Sequence, residues 1–243
     1  MSEYNGTDNS SAENRSKTNK MKSAFEAFGN IFGLNICFII GCLPIFTIGA
    51  SLTALYSMCI RLQEDEEETI LVGFIHEFKR NFKQATLTFL LLIVAFAVMW
   101  AEFLVIVYFS GILVVIYTAV LAIEVLVVAL IIPFLFPLIA RYDSDFWTTI
   151  KNAFLLSVGF FGSWIKIVVA WVAPFLFSFV IEPMIFIYTW YLWLLLFFGL
   201  IAYGTSYTIR NVFAVNEARA EKTREENKEK EVKEAKEENK ENK

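Results

Sequence analysis

Two uninterrupted apolar stretches, residues 85–109 and 112–139, limit this chain more than any other feature. A helix rises about 1.5 Å per residue, so roughly 20 apolar residues cross the ~30 Å hydrocarbon core of a bilayer. Both stretches exceed that length, and each holds a single charged residue, Glu102 in the first and Glu124 in the second. Composition points the same way. Of 243 residues, 57% are hydrophobic and 19% charged, and the mean hydropathy is +0.55. An ordinary soluble domain is about 45–50% apolar. Such an excess cannot build a water-facing surface, which argues together against a soluble enzyme, a nucleic-acid binder and a secreted disulfide scaffold.

Residues 160–181 and 184–207 are two further candidate spans, parted by Glu182-Pro183, while Phe109-Ser110-Gly111 parts the first two. Turns this short make antiparallel hairpins. The run from Phe28 to Leu62 is too long for one upright span, and Pro44, between Gly41 and Gly49, is the natural break. We read it as helices 28–43 and 45–62, although composition alone leaves one span or two open. The expected fold is therefore all-α and polytopic, with six transmembrane helices as three hairpins and an amphipathic cytoplasmic helix over 69–84. A polar segment, 1–27, precedes the membrane domain 28–209, and a Glu/Lys tail, 210–243, follows it.

Charge supports this topology. Positive residues collect on the cytoplasmic side of membrane proteins. With six spans, the N-terminal Lys/Arg cluster, Arg61, Lys79, Arg80, Lys83, Arg141, Lys151 and the tail share one face. The opposite turns at 43–46, 109–111 and 182–183 carry no Lys or Arg. Both termini are thus expected in the cytoplasm. The membrane domain holds seven basic and eleven acidic residues, so the net charge of −4 arises there, much of it from the run Glu64 to Glu68. That run lacks the central glycine of an EF-hand loop.

At 100° per residue, Leu71, Phe74, Ile75, Phe78 and Phe82 fall on one face of the 69–84 helix. His76, Glu77, Lys79, Arg80 and Lys83 fall on the other, the pattern of an interfacial helix. A shorter version of this element is read at 141–154. A basic-Asn-Phe core recurs at Phe78–Phe82, Thr149–Phe154 and Thr208–Phe213, each near the cytoplasmic end of a span. Three related hairpins, or a shared need for basic anchors, account for it equally. The tail has no heptad stripe and reads as solvated.

Acids inside a span cost about 2.5–3.5 kcal/mol on insertion scales, so each needs a reason. Glu124 lies midway along its span, Glu102 nearer the outer end, and Lys166 early in the fifth. These three are the candidate intramembrane residues. Glu124 is either a coupling site for a proton or cation, or a protonated acid bonded to a neighbouring helix. Pro133, Pro137 and Pro174 free backbone carbonyls, which marks broken helices around a site or is simply tolerated. Cys37, Cys42 and Cys59 have no metal-ligand or CxxC spacing and read as packed thiols. No Walker, GxSxG or HExxH sequence is present, so neither a catalytic residue, a metal site nor a cofactor is expected.

The stretch from Leu34 to Ala85 resembles the YesL-like family of bacterial membrane proteins, defined by a domain of unknown function. The likeness rests on the Leu-Pro-Ile-x-Thr-Ile-Gly-Ala run at Leu43–Ala50, on Ala54-Leu55-Tyr56, and on Phe78 to Gln84. Lys151-Asn152-Ala153-Phe154 also fits. The resemblance implies a multi-pass protein of the bacterial plasma membrane, accessory to carbohydrate uptake or polysaccharide utilisation. Sugar-importer membrane subunits are the implied partners beside the lipid bilayer, with no nucleic acid. The resemblance carries over no catalytic or binding residues; Phe78, Lys79, Arg80, Asn81, Phe82 and Lys83 of the amphipathic helix are the candidate cytoplasmic interface. The other reading is a small secondary transporter using Glu124.

Overall fold

The computed structural model describes residues 25–64, 69–178 and 183–241. The polar segment up to residue 24, the acids Asp65 to Glu68, and Glu182 lie outside the described residues. Among the described residues eight α-helices follow one another: α1 Phe25–Gly41, α2 Ile48–Gln63, α3 Ile70–Tyr108, α4 Ile112–Arg141, α5 Phe146–Gly159, α6 Phe161–Leu176, α7 Pro183–Leu192 and α8 Phe198–Glu241. A 3-10 turn, Ile45–Thr47, leads into α2, and a π-helical turn, Trp193–Phe197, joins α7 to α8.

Among the described residues four helical stretches are long and apolar enough to cross a membrane: Ile45–Gln63, Ile70–Tyr108, Ile112–Arg141 and Trp190–Lys230. The α5–α6 pair, bent by 101°, makes a fifth if taken as one broken span. This is the helix set of a multi-pass integral membrane protein. The bend falls at Phe160, where Gly159 and Gly162 flank the break. The turn between α3 and α4 needs its glycine, because Gly111 has φ 81 and ψ −149, a region that side chains with a Cβ essentially never adopt.

α2 is the axis of the bundle. Every residue from Gly49 to Ile60 except Leu52 is buried. Many of these are small, and small residues let helix backbones approach closely. A Cβ on Gly49 would run into the Ala85 carbonyl and Phe89, so α2 and α3 touch there backbone to backbone. α1 folds back along α2, with Ser51 Oγ donating to the Phe38 carbonyl at 2.8 Å. The C-terminal ends of α2 and α4 meet α8 at one end of the molecule. There Arg141 bridges Glu64 at 3.2 Å and Glu217 at 3.4 Å.

One expectation changes. The segment 69–84 is no separate helix but the first half of α3, which runs unbroken for 39 residues. After Gly73 it contains neither glycine nor proline, so nothing stops it. At 1.5 Å per residue it is roughly 58 Å long, about twice a bilayer core. The polarity boundary nevertheless falls where the charges end, near Gln84. Pairing of Ser57 and Arg61 with Glu77, and of Gly49 with Ala85, lays α2 beside the charged half. Beyond Phe89, α3 continues for roughly 28 Å, counted at 1.5 Å per residue, and most of its residues there are exposed. The tail, expected to be solvated and partly helical or disordered, continues α8 to Glu241 and is exposed from Ala214 to Lys230.

Candidate functional site

The most concentrated polar chemistry lies between α2 and α3. Glu77 is fully buried. Its carboxylate accepts from Arg61 at 2.9 Å, Ser57 at 2.8 Å and Asn81 at 3.4 Å, and it pairs with Arg80 at 2.6 Å. The guanidiniums reach outward, with side chains 26% and 40% exposed for Arg61 and Arg80. Burying a carboxylate is costly unless charge partners and hydrogen bonds replace water, and here both do. Arg80 also donates to the carbonyl of Ala140 at 3.0 Å, which ties α3 to the C-terminal end of α4.

The sequence reading put Glu77 on the solvated face of its helix, and the structure corrects this. The buried stripe of α3 runs through Gly73, Phe74, Glu77, Asn81, Ala85 and Thr88, while Leu71 and Ile75 are exposed. Hydrophobic periodicity fails here because α2 supplies Ser57 and Arg61 to the carboxylate. The candidate cytoplasmic interface is divided accordingly. Lys79 and Lys83 are exposed; Phe78 and Phe82 are half-buried and lie 5.6 Å apart; Asn81 is buried; Arg80 is engaged as described. His76 is exposed, as expected.

Two members of the basic-Asn-Phe repeat share a task. Arg80 bonds the Ala140 carbonyl, and Arg210 bonds that of Gln63 at 2.6 Å, each at the C-terminal end of a neighbouring helix. Cations are favoured there by the helix dipole. Lys151 is exposed. α5, which carries it, starts at an Asp145 N-cap whose carboxylate accepts from the Thr148 amide at 3.2 Å. Bonds from the Thr148 hydroxyl and amide hold the Asp145 carboxyl below its ordinary range. Beside it, burial and the Glu217 carboxylate raise the Tyr142 phenol.

The three candidate intramembrane residues are on different elements. Glu124 is half-buried in a crevice of about 360 Å³ between α3 and α4, with Val98, Met99 and Val127 among its walls. Glu102 also sits on the α3 tip, half-buried, with one carboxylate oxygen shielded and no partner among the described residues. Lys166 lies on α6 and is exposed. Among the described residues no group of three His, Cys, Asp or Glu is placed to hold a metal ion. Cys59 is buried, and Cys37 and Cys42 are partly so.

A larger cavity, about 490 Å³, opens among α1, α2, α4, α6 and α8. Its walls are apolar and aromatic, with Phe38, Tyr56, Pro133, Trp164, Trp171 and Phe198 among them. Tyr56 turns its hydroxyl to Trp171, which donates at 2.9 Å, and to Thr205 at 3.4 Å. The space suits a hydrocarbon chain and offers nothing to hold a solvated ion. Pro133 explains one wall. It has no N–H for the carbonyl of Ala129, four residues earlier, and the Trp164 indole supplies the missing donor at 3.1 Å. A proline four residues after an otherwise unremarkable alanine was the only sign in the sequence.

Asn35 was missed altogether. It is fully buried on α1 and holds both sides of the π-helical turn, donating to the Leu194 carbonyl at 2.6 Å and accepting from the Gly199 amide at 2.7 Å. A π turn leaves backbone groups out of register, and one carboxamide answers a donor and an acceptor together.

Residues 31–103, from α1 to the tip of α3, match the family described as "Protein of unknown function, DUF624". No curated protein and no solved structure matches the chain.

Proposed function

We propose that this protein is a non-catalytic accessory subunit of the bacterial plasma membrane, YesL-like, with both termini cytoplasmic, which docks on the membrane subunits of a carbohydrate-uptake or polysaccharide-utilisation system. The observation that carries the docking reading is the bare α3–α4 tip. In the apolar half of α3 beyond Phe89, Met99 alone is buried within the chain, and in the most apolar window of α4 only 17% of residues are. Yet this tip carries Glu102 and Glu124, whose cost in lipid falls when another helix supplies a hydrogen bond. The family resemblance supplies the system it would serve. If α1 and the bent α5–α6 pair each count as one apolar segment, the described residues offer six, an even number that puts both termini on one side, whether α1 and α2 cross fully or only enter and return.

The transporter reading has one observation in its favour, the crevice beside Glu124. Against it stands the crevice's apolar lining, and the larger cavity contains no carboxylate. Glu124→Gln separates the two readings, because glutamine keeps the shape and hydrogen bonding but cannot carry a proton. The accessory reading expects the variant to restore a deletion strain to wild-type growth on the polysaccharides that require the protein. Loss of growth with normal protein level, accompanied by loss of proton-coupled flux in vesicles, would replace this reading with the transporter.

A further inference from the structure

We propose that the turn between α1 and α2, Cys42 to Phe46, is embedded in the hydrocarbon of the near leaflet, so that α1–α2 is a hairpin dipping into the bilayer from the cytoplasmic side. The inference rests on membrane residence and not on which partner the protein serves.

Three observations converge on it. The turn is apolar and bare: Leu43 is 75% exposed, Ile45 71% and Phe46 51%. Non-helical backbone in the hydrocarbon costs free energy for each polar group left without a partner. This turn pairs several of its own. The Cys42 amide donates to the Phe38 carbonyl at 2.9 Å, and that of Leu43 to Ile40 at 3.2 Å. Pro44 has no amide hydrogen to satisfy. Thr47 closes the turn, with its amide on the Pro44 carbonyl at 2.9 Å and its hydroxyl shared between Gly41 at 2.7 Å and Pro44 at 2.6 Å. A turn made for water would leave such groups to solvent and would not present Leu, Ile and Phe.

The depth follows from α3. Gly49, just after the turn, meets Ala85 and Phe89, where α3 passes from its charged half to its apolar half. The turn therefore reaches only part of the apolar layer, and α3 continues well beyond it. A complete crossing by α2 would bring Arg61, Glu77 and Arg80 to one interface and leave the α3–α4 tip projecting into water on the other side.

The test uses the full chain with Cys37→Ala and Cys59→Ala, keeping the native Cys42, and a second form that also carries Cys42→Ala and Ile45→Cys. Each is labelled with a small fluorescent maleimide after purification and reconstituted into phosphatidylethanolamine–phosphatidylglycerol vesicles containing nitroxide lipids. Nitroxides near the headgroup should quench both labels more than nitroxides near the chain ends, and aqueous iodide should quench neither. In cells, a membrane-impermeant maleimide should label neither site from either side. Labelling from outside would mean a complete crossing and overturn the proposal, as would strong iodide quenching in vesicles. Protection from every nitroxide, with cysteine cross-linking between chains, would mean that a second copy covers the turn, and would equally overturn it.

Discussion

Replacing Arg61 and Arg80 together by Met should destabilise the protein by about 3–5 kcal/mol, the range for stranding a buried charge. Glu77 is the reason: it is fully buried, and these are the two cations that face it. Each single variant should lose less, because the other arginine remains. Adding Glu77→Leu to the pair should recover more than half of the loss, since an apolar side chain of similar volume often replaces a buried ion pair at little cost. What stays lost is the Arg80 bond to the Ala140 carbonyl, a charged hydrogen bond of about 1.5–3 kcal/mol. Thermal unfolding of the unmodified protein and the four variants in one detergent checks the series. A triple variant no more stable than the double would show that Glu77 is not the group being stranded.

Asn35→Leu should produce the second large loss. It removes a donor from the Leu194 carbonyl and an acceptor from the Gly199 amide, both inside the bundle. A buried polar group left alone costs about 1–3 kcal/mol, and here two are left. The neighbourhood cannot close up easily, because a Cβ on Gly199 would already meet the Ile31 carbonyl at 2.8 Å. Hydrogen exchange should therefore accelerate across 193–199 while the charged half of α3 keeps its protection. Unchanged exchange in the π-helical turn would contradict the role given to Asn35.

These two positions mark where sequence reading succeeds and fails. Long apolar runs announce α3, α4 and much of α8, and Pro44 and Gly111 announce the turns, because bilayer thickness and backbone sterics act locally. Glu77 was misread since its burial depends on Ser57 and Arg61 of another helix, and periodicity counts only its own. Asn35 pairs with residues more than 150 positions away, so no local pattern could reveal it. Trp164 is half-legible: Pro133 announces a free carbonyl, but only the bend at Phe160 brings an indole to it. The continuity of α3 across the interface was concealed by the same charges that mark the interface.

These features divide the molecule by depth. In the charged layer, α2 is locked to α3 through Glu77, and Arg80, Arg141 and Arg210 tie helix ends together. Deeper, the α3–α4 tip stands free with its two carboxylates. A rigid base and an unpartnered apolar tip are what a subunit needs in order to present one surface to another membrane protein.

Affinity purification from native membranes in mild detergent, with cells grown on plant polysaccharide, tests that claim most directly. The account predicts stoichiometric recovery of sugar-importer membrane subunits, lost when Phe103 and Ile116, both exposed on the tip, are replaced by Trp. Recovery of this protein alone, from membranes in which those importers are abundant, would contradict it.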